Sequence, residues 1–171
     1  MPQRDSDTDE PGAPSVEVRA KAQELLSHVE LLDIRPCSIT ASIDQGVAPG
    51  THVASVEMDL AMSFAADEGI YGNRFDYSFV LKGDDEDEPL GKIEFSLVLD
   101  YDVDEDYEPD VEAADFLTST TGYFAAYPYA RELFQSLASR LQFDPVVLGL
   151  IKRGTLRPGT VSIAPRQAIE A

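Results

Sequence analysis

The chain is poor in the groups that carry most protein chemistry. Among 171 residues there is one cysteine, there are two histidines, and there is no tryptophan. A single cysteine, Cys37, excludes an intrachain disulfide and fits a reducing compartment. No second Cys or His stands near it at metal-ligand spacing, so a small, buried, inert thiol is expected. Basic residues are scarce as well. Thirteen Lys and Arg face thirty-two Asp and Glu, a formal net charge of −19. Such a surface repels nucleic acid and anionic membranes, and it favours solubility and basic partners. No run approaches the roughly 20 apolar residues of a membrane-spanning helix. No apolar run opens the chain, so no signal peptide is expected. A Gly-rich phosphate loop, a Gly-x-Ser-x-Gly elbow and a His-Glu-x-x-His helix are all missing. These absences predict a cytoplasmic, non-enzymatic protein with no cofactor and no metal.

What remains is ample for a core. Hydrophobic residues make up 43% of the chain, and a domain of this size buries roughly 70% of its unfolded surface. Residues 1–15, rich in Asp, Pro, Ser and Gly, read as a disordered leader. Residues 16–153 read as one domain. Residues 154–171, with Pro158, Gly159 and Pro165, read as a flexible tail. Ser15 is placed to cap a short helix from Val16 to about Leu26.

Four strand-like segments follow. The first, Val29 to about Ile43, is β-rich with blurred alternation, and Pro36 inside it marks a bulge or an edge position. A turn signal, Ala48-Pro49-Gly50, comes next. The second, His52 to Phe64, alternates cleanly: Ala54, Val56, Met58, Leu60, Met62 and Phe64 share one face, with Ser55, Glu57, Asp59 and Ser63 on the other. His52 opens that strand on its apolar side. The third carries Phe75, Tyr77, Phe79 and Leu81 on one face, and the fourth Ile93, Phe95, Leu97, Leu99 and Tyr101. The acidic loop Asp84 to Glu88 joins these two as a hairpin. Consecutive alternating strands predict an antiparallel sheet with one face covered and one wet.

The cover comes after the acidic stretch Asp100 to Asp110. Phe116, Tyr123, Tyr127, Ala130, Phe134, Leu137 and Leu141 recur at helical spacing. A helix over that span is about 36 Å long, and Pro128 either kinks it or starts a new one. Leu117, Phe124 and Leu133 lie outside the main stripe. The face is therefore wide, which suggests burial against a second subunit or a broader core within the chain. The fold class is thus α+β: a four-stranded antiparallel sheet, a long helix packed on one face, a short N-terminal helix and flexible tails. The acidic stretch imitates a calcium loop and fails the test. Starting at Asp100, the sixth and twelfth positions hold Glu105 and Val111; starting at Asp102, they hold Tyr107 and Ala113. Two readings remain, a weak nonspecific cation site and a repelling, solvated edge, and the second is favoured.

One motif points to a family. Tyr127-Pro128-Tyr129-Ala130-Arg131-Glu132 resembles the Phe-Pro-Tyr-Ala-Arg-Glu signature of SecB export chaperones. Arg140, Phe143, Pro145 and Leu148 match the connection that follows that family's main helix. Ser119-Thr120-Thr121-Gly122 is similar to the run of actinobacterial SecB-like proteins found beside toxin–antitoxin pairs. The sequence departs from the family at Gly122-Tyr123-Phe124, at Ile151-Lys152-Arg153, and in having no second helical pattern near its C-terminus.

The resemblance implies an ATP-independent holdase. Its members pair through strands into dimers and through helices into a homotetramer, a dimer of dimers. They bind unfolded or non-native proteins, such as preproteins or an antitoxin, and in export hand them to SecA. Under this reading Met58, Leu60, Met62, Phe64, Phe143, Val146 and Val147 contact client. Glu57, Asp59 and Glu94 contact a basic partner, and Tyr127, Phe134 and Leu137 lie at the oligomer interface. The alternative is an interaction or assembly protein on the same fold without general client binding.

Overall fold

The computed structural model describes residues 14–67, 70–84 and 88–149. The leader up to residue 13, the centre of the acidic 84–88 loop and the tail from residue 150 lie outside the described residues. The elements are α1 (Val16–Ser27), β1 (Val29–Ile43), β2 (Ser55–Asp67), β3 (Ile70–Lys82), β4 (Pro89–Val103), α2 (Val111–Leu117), a π-helical turn (Thr118–Gly122) and α3 (Tyr123–Arg140). As expected, the fold is a four-stranded antiparallel sheet covered on one face by helix.

Strand order is β1-β4-β3-β2. Strands β2, β3 and β4 form a meander that returns beside β1, so β1 and β2 are the two edges. The period-two pattern of β3 and β4 is realised in full. Odd-numbered residues from Tyr71 to Leu81 and from Ile93 to Val103 are buried beneath the helices. Their rings interlock, with centroids of Tyr77 and Phe95 5.2 Å apart and of Phe79 and Phe95 5.6 Å apart. Even-numbered residues face the other way. There Arg74 donates to Asp76 at 2.8 Å and to Ser96 at 3.0 Å, Ser38 and Ser96 share a hydrogen bond of 2.9 Å, and Ser96 also donates to Asp76. A polar spine thus runs from β3 across β4 to β1 on the outer face.

The blurred alternation of β1 has a definite cause. Two bulges, at Leu32 and Cys37, break the register with β4 between Leu31 and Asp33 and between Pro36 and Ser38. Each adds one residue and flips the side chains that follow. Pro36, beside the second bulge on an edge strand, has no ladder bond to give up. The thiol of Cys37 is exposed, not buried, because the bulge removes it from the packed face.

Other expectations shift. Strand β2 starts at Ser55, and His52 stands exposed in the connection before it. Asp100 and Asp102 lie on β4, an inner strand, so they do not guard an edge; Asp100 accepts from Arg35 at 3.1 Å. His28 bonds Asp104 at 2.8 Å and stacks on Tyr107 at 4.2 Å, tying the end of α1 to the end of β4.

Ser15 caps α1 as read, accepting from the Val18 amide. Helix α3 runs without a break through Pro128, whose ring is on the exposed side. The irregularity comes earlier, in the π-helical turn at Thr118–Gly122. Its hydroxyls bond back to the preceding turn: Thr118 to the carbonyl of Ala114 at 2.7 Å, and Ser119 and Thr120 to that of Phe116. Such bonds satisfy carbonyls that the wider turn frees. The Thr118 hydroxyl also lies 2.8 Å from the side-chain oxygen of Asn73, a competing acceptor for its one proton, and shares a hydrogen bond with the hydroxyl of Tyr71, pinning the turn to β3. Gly122 permits this approach, since a Cβ there would meet Asn73 Nδ2 at 2.5 Å.

Gly122→Ala therefore sets overpacking of about 1–3 kcal/mol against about 1 kcal/mol of recovered helix propensity. A net loss of about 1 kcal/mol is expected in denaturant unfolding. Unchanged or raised stability would show that the turn is not held against Asn73.

Candidate binding surface

Helix α3 presents a narrow stripe to the sheet. Tyr123, Ala126, Ala130, Phe134 and Ala138 are buried. Three of the five are alanine, which lets the axis approach closely, and Phe134 fills the gap against Phe79, ring centroids 4.6 Å apart. Phe134 is fully buried within the chain. Leu117, whose position suggested extra girth, is also buried in the chain's own core. Tyr127 and Leu137 are partly buried against that core.

The two flanks of α3 differ. Tyr127 and Tyr129 are two residues apart, so their side chains project about 200° apart around the helix. Tyr129, Glu132, Leu133 and Ser136 face β1. With Ile34, Pro36 and Leu97 they line a groove of about 180 Å³. Along the same face of β1, Ile39 and Ile43 continue the apolar surface. Ile39 is 48% exposed and Tyr129 49% exposed. Leu31, paired with Tyr101, is also exposed on that face.

The opposite flank is strapped. After α3 the chain turns at Gln142, which has a positive φ of 63°. Gly50 donates to the carbonyl of Gln142 at 2.7 Å, and Asp144 donates to that of Thr51 at 3.2 Å. Gly50 has φ 78°, a conformation open to glycine, and this is what the Ala48-Pro49-Gly50 signal encodes. The strap then runs to Gly149, whose carbonyl accepts from Tyr127 at 2.7 Å. Phe143 and Leu148 are buried in it, Val146 is partly buried, and Val147 is 55% exposed.

The candidate client residues therefore divide. Leu60, Met62, Phe64 and Phe143 belong to the buried core, and Val146 packs against it. Met58, 40% exposed, and Val147 reach the surface. The β1 flank, with Ile34, Pro36, Ile39, Tyr129 and Leu133, was not singled out from sequence. Splitting β1 at its bulges would have shown it: Ile34 and Pro36, then Ile39, Ala41 and Ile43, fall on one face.

On the outer face, Glu57 bonds Lys82 at 2.7 Å and Glu94 bonds Lys92 at 2.8 Å, while Asp59 is exposed. His28, Cys37 and His52 are on separate parts of the chain's surface, and among the described residues no group of three or more His, Cys, Asp or Glu is placed to hold a metal ion. The buried phenols stay neutral. Burial pushes Tyr123 up to about 12 and raises Tyr71 and Tyr77 further. Among the described residues, no helix is long and apolar enough to cross a membrane.

Cys37 gives a direct check on β1. In the native protein it is expected to react with a chromogenic disulfide reagent as fast as a small-molecule thiol. Reaction only after unfolding would place it inside and overturn the bulge.

No family model matches the chain. Over 79 residues it is 35% identical to the SecB-like chaperone Rv1957 of Mycobacterium tuberculosis strain H37Rv. The SecB-like chaperone MT2006 of strain CDC 1551 matches at the same identity and length. The aligned stretch is 43% of this chain and 44% of each relative, so the match spans less than half of the curated proteins. In three dimensions the chain is similar to the Mycobacterium tuberculosis Rv1957 SecB-like chaperone, solved in complex with a ChAD peptide from the Rv1956 HigA1 antitoxin. The TM-score is 0.65 at 21% identity, with 80% of this chain and 99% of the other covered. The chain has the fold of the SecB-like chaperones, and it is similar in sequence to mycobacterial proteins of that name.

Proposed function

We propose that this protein is an ATP-independent chaperone that holds extended apolar segments of non-native polypeptides, an antitoxin segment being the first candidate client. The observation that carries the reading is the bare flank of α3. An apolar groove beside an edge strand, continued by Leu31, Ile39 and Ile43, is left open in a chain with a net charge of −19. Exposed apolar surface of this kind marks a site for another polypeptide. The surrounding charge keeps a loaded complex soluble and favours basic clients. The solved SecB-like neighbour is described with an antitoxin peptide bound, which supports a client of that class here.

Met58 on β2 and Val147 on the strap are proposed as further client contacts. The chain is proposed to act as a homotetramer, with Tyr127 and Leu137 near the helical interface. Glu57, Asp59 and Glu94 are proposed to meet a basic partner such as SecA. Preprotein export is the finer reading and rests on resemblance alone.

The test is aggregation of a chemically denatured client after dilution, without ATP. Near-stoichiometric protein should suppress it. Ile39→Asp and Tyr129→Asp replace exposed side chains, so the fold should stand while suppression weakens. For a single peptide client the expected loss is about tenfold in Kd, or about 1.4 kcal/mol. Full suppression by both variants would move the site to Met58 and Val147. No suppression of any client by the parent chain would leave an interaction protein on this fold.

A further inference from the structure

The face of the sheet away from the helices carries a second surface, and the chain carries a segment suited to it. Across all four strands runs a shallow concavity of about 560 Å³. Its floor is small: Ala61, Ser78 and Ser96. Its rim carries three carboxylates, Asp59, Asp76 and Glu94, and no Lys or Arg lines it. Asp76 is engaged by Arg74 and Glu94 by Lys92. Asp59 is exposed and has no hydrogen bond or ion pair among the described residues. A floor of small residues under carboxylates suits an extended strand of chain with long basic side chains.

The charge of this protein is unevenly spread. Residues 150–171 hold four of the thirteen basic residues, Lys152, Arg153, Arg157 and Arg166, and one of the thirty-two acidic residues, Glu170. This segment leaves the body at Gly149, which Tyr127 holds against α3. Its 22 residues reach at most about 75 Å when extended, enough to pass round the edge of the sheet. A basic segment is attracted to a concave surface lined by carboxylates, of which Asp59 is unpaired among the described residues.

We propose that the basic segment 150–171 docks in cis on the acidic concavity of the outer sheet face, and so competes with any basic partner for Asp59 and its neighbours. The proposal builds on the reading of that face as a partner surface. It is independent of client holding on the opposite face.

The experiment uses the full-length chain without client. Cys37→Ser removes the native thiol, and Thr160→Cys carries a nitroxide spin label. The amide signals of Ala61, Ser78 and Ser96 should lose intensity at low salt. They should recover in about 1 M NaCl, where the screening length falls to about 3 Å. They should also recover at low salt in Asp59→Lys, and in the triple variant Lys152→Glu, Arg153→Glu, Arg157→Glu. Asp59 is exposed, so its replacement leaves the core signals in place as the folding control. Unbroadened signals at low salt would overturn the proposal. So would broadening confined to Ile39 and Tyr129, which places the segment in the apolar groove. Broadening seen only in mixtures of spin-labelled and isotope-labelled chains would assign docking to a second copy and also overturn it. Loss of the cis contact leaves the aggregation assay unaffected, so the two readings fail separately.

Discussion

One helix has to cover four strands, and the rest of the structure follows from that mismatch. Strands spaced about 4.8 Å apart make a sheet roughly 19 Å wide, whereas a helix with its side chains is about 10–12 Å across. Alanines at 126, 130 and 138 bring α3 down onto the middle of the sheet, where Phe134 meets Phe79. The aromatic rows of β3 and β4 are sealed by it. The two edges are not. At one end of the sheet α2 and the π-helical turn add cover through Tyr71, Asn73 and Thr118. On the flank of Tyr127 the strap after α3 closes the gap. On the flank of Tyr129 nothing in the described chain does so, and the apolar side of β1 remains in water.

An exposed apolar edge is ordinarily a hazard, because edge strands invite pairing with other chains. Here the hazard is tempered in ways that suit reversible binding. Two bulges and Pro36 make β1 an irregular template for strand addition. Asp33 and Arg35, together with Asp100 on the neighbouring strand, put paired charge on its outer side. The large negative charge of the whole molecule opposes association of copies that are not held by a specific interface. The same features fit a surface that accepts varied apolar side chains without committing to one backbone register.

Much of the fold was legible in the sequence. Strict alternation in β3 and β4, Ser15 as a cap and the change to helical spacing after Asp110 each express a single local rule, and each reappears in the structure. The elements that misled are those where two rules compete. In β1 the bulges reset the period, so the groove residues hid in what looked like noise, and Cys37 came out on the surface. In β2 the apolar face was read correctly, but the depth of each side chain depends on what packs over it, and α2 and the π-helical turn, which contact this strand, are not placed by strand spacing. Leu60, Met62 and Phe64 are core while Met58 is open. Pro128 argued for a break in α3, yet its ring is on the exposed side and the helix passes through. The Ser-Thr-Thr-Gly run suggested kinship, and its physical role is to shape the π-helical turn that seats α3 on Asn73.

The central claim is that the bare flank between α3 and β1 holds non-native chain. The most direct measurement is amide chemical-shift mapping of the protein as an unfolded, apolar, basic peptide is titrated in. Perturbations concentrated on Ile34 to Ile43 and on Tyr129 to Ser136, with the outer-face signals of Ser78 and Ser96 unmoved, are the expected result. Perturbations confined to the outer face, or none at saturating peptide, would contradict it.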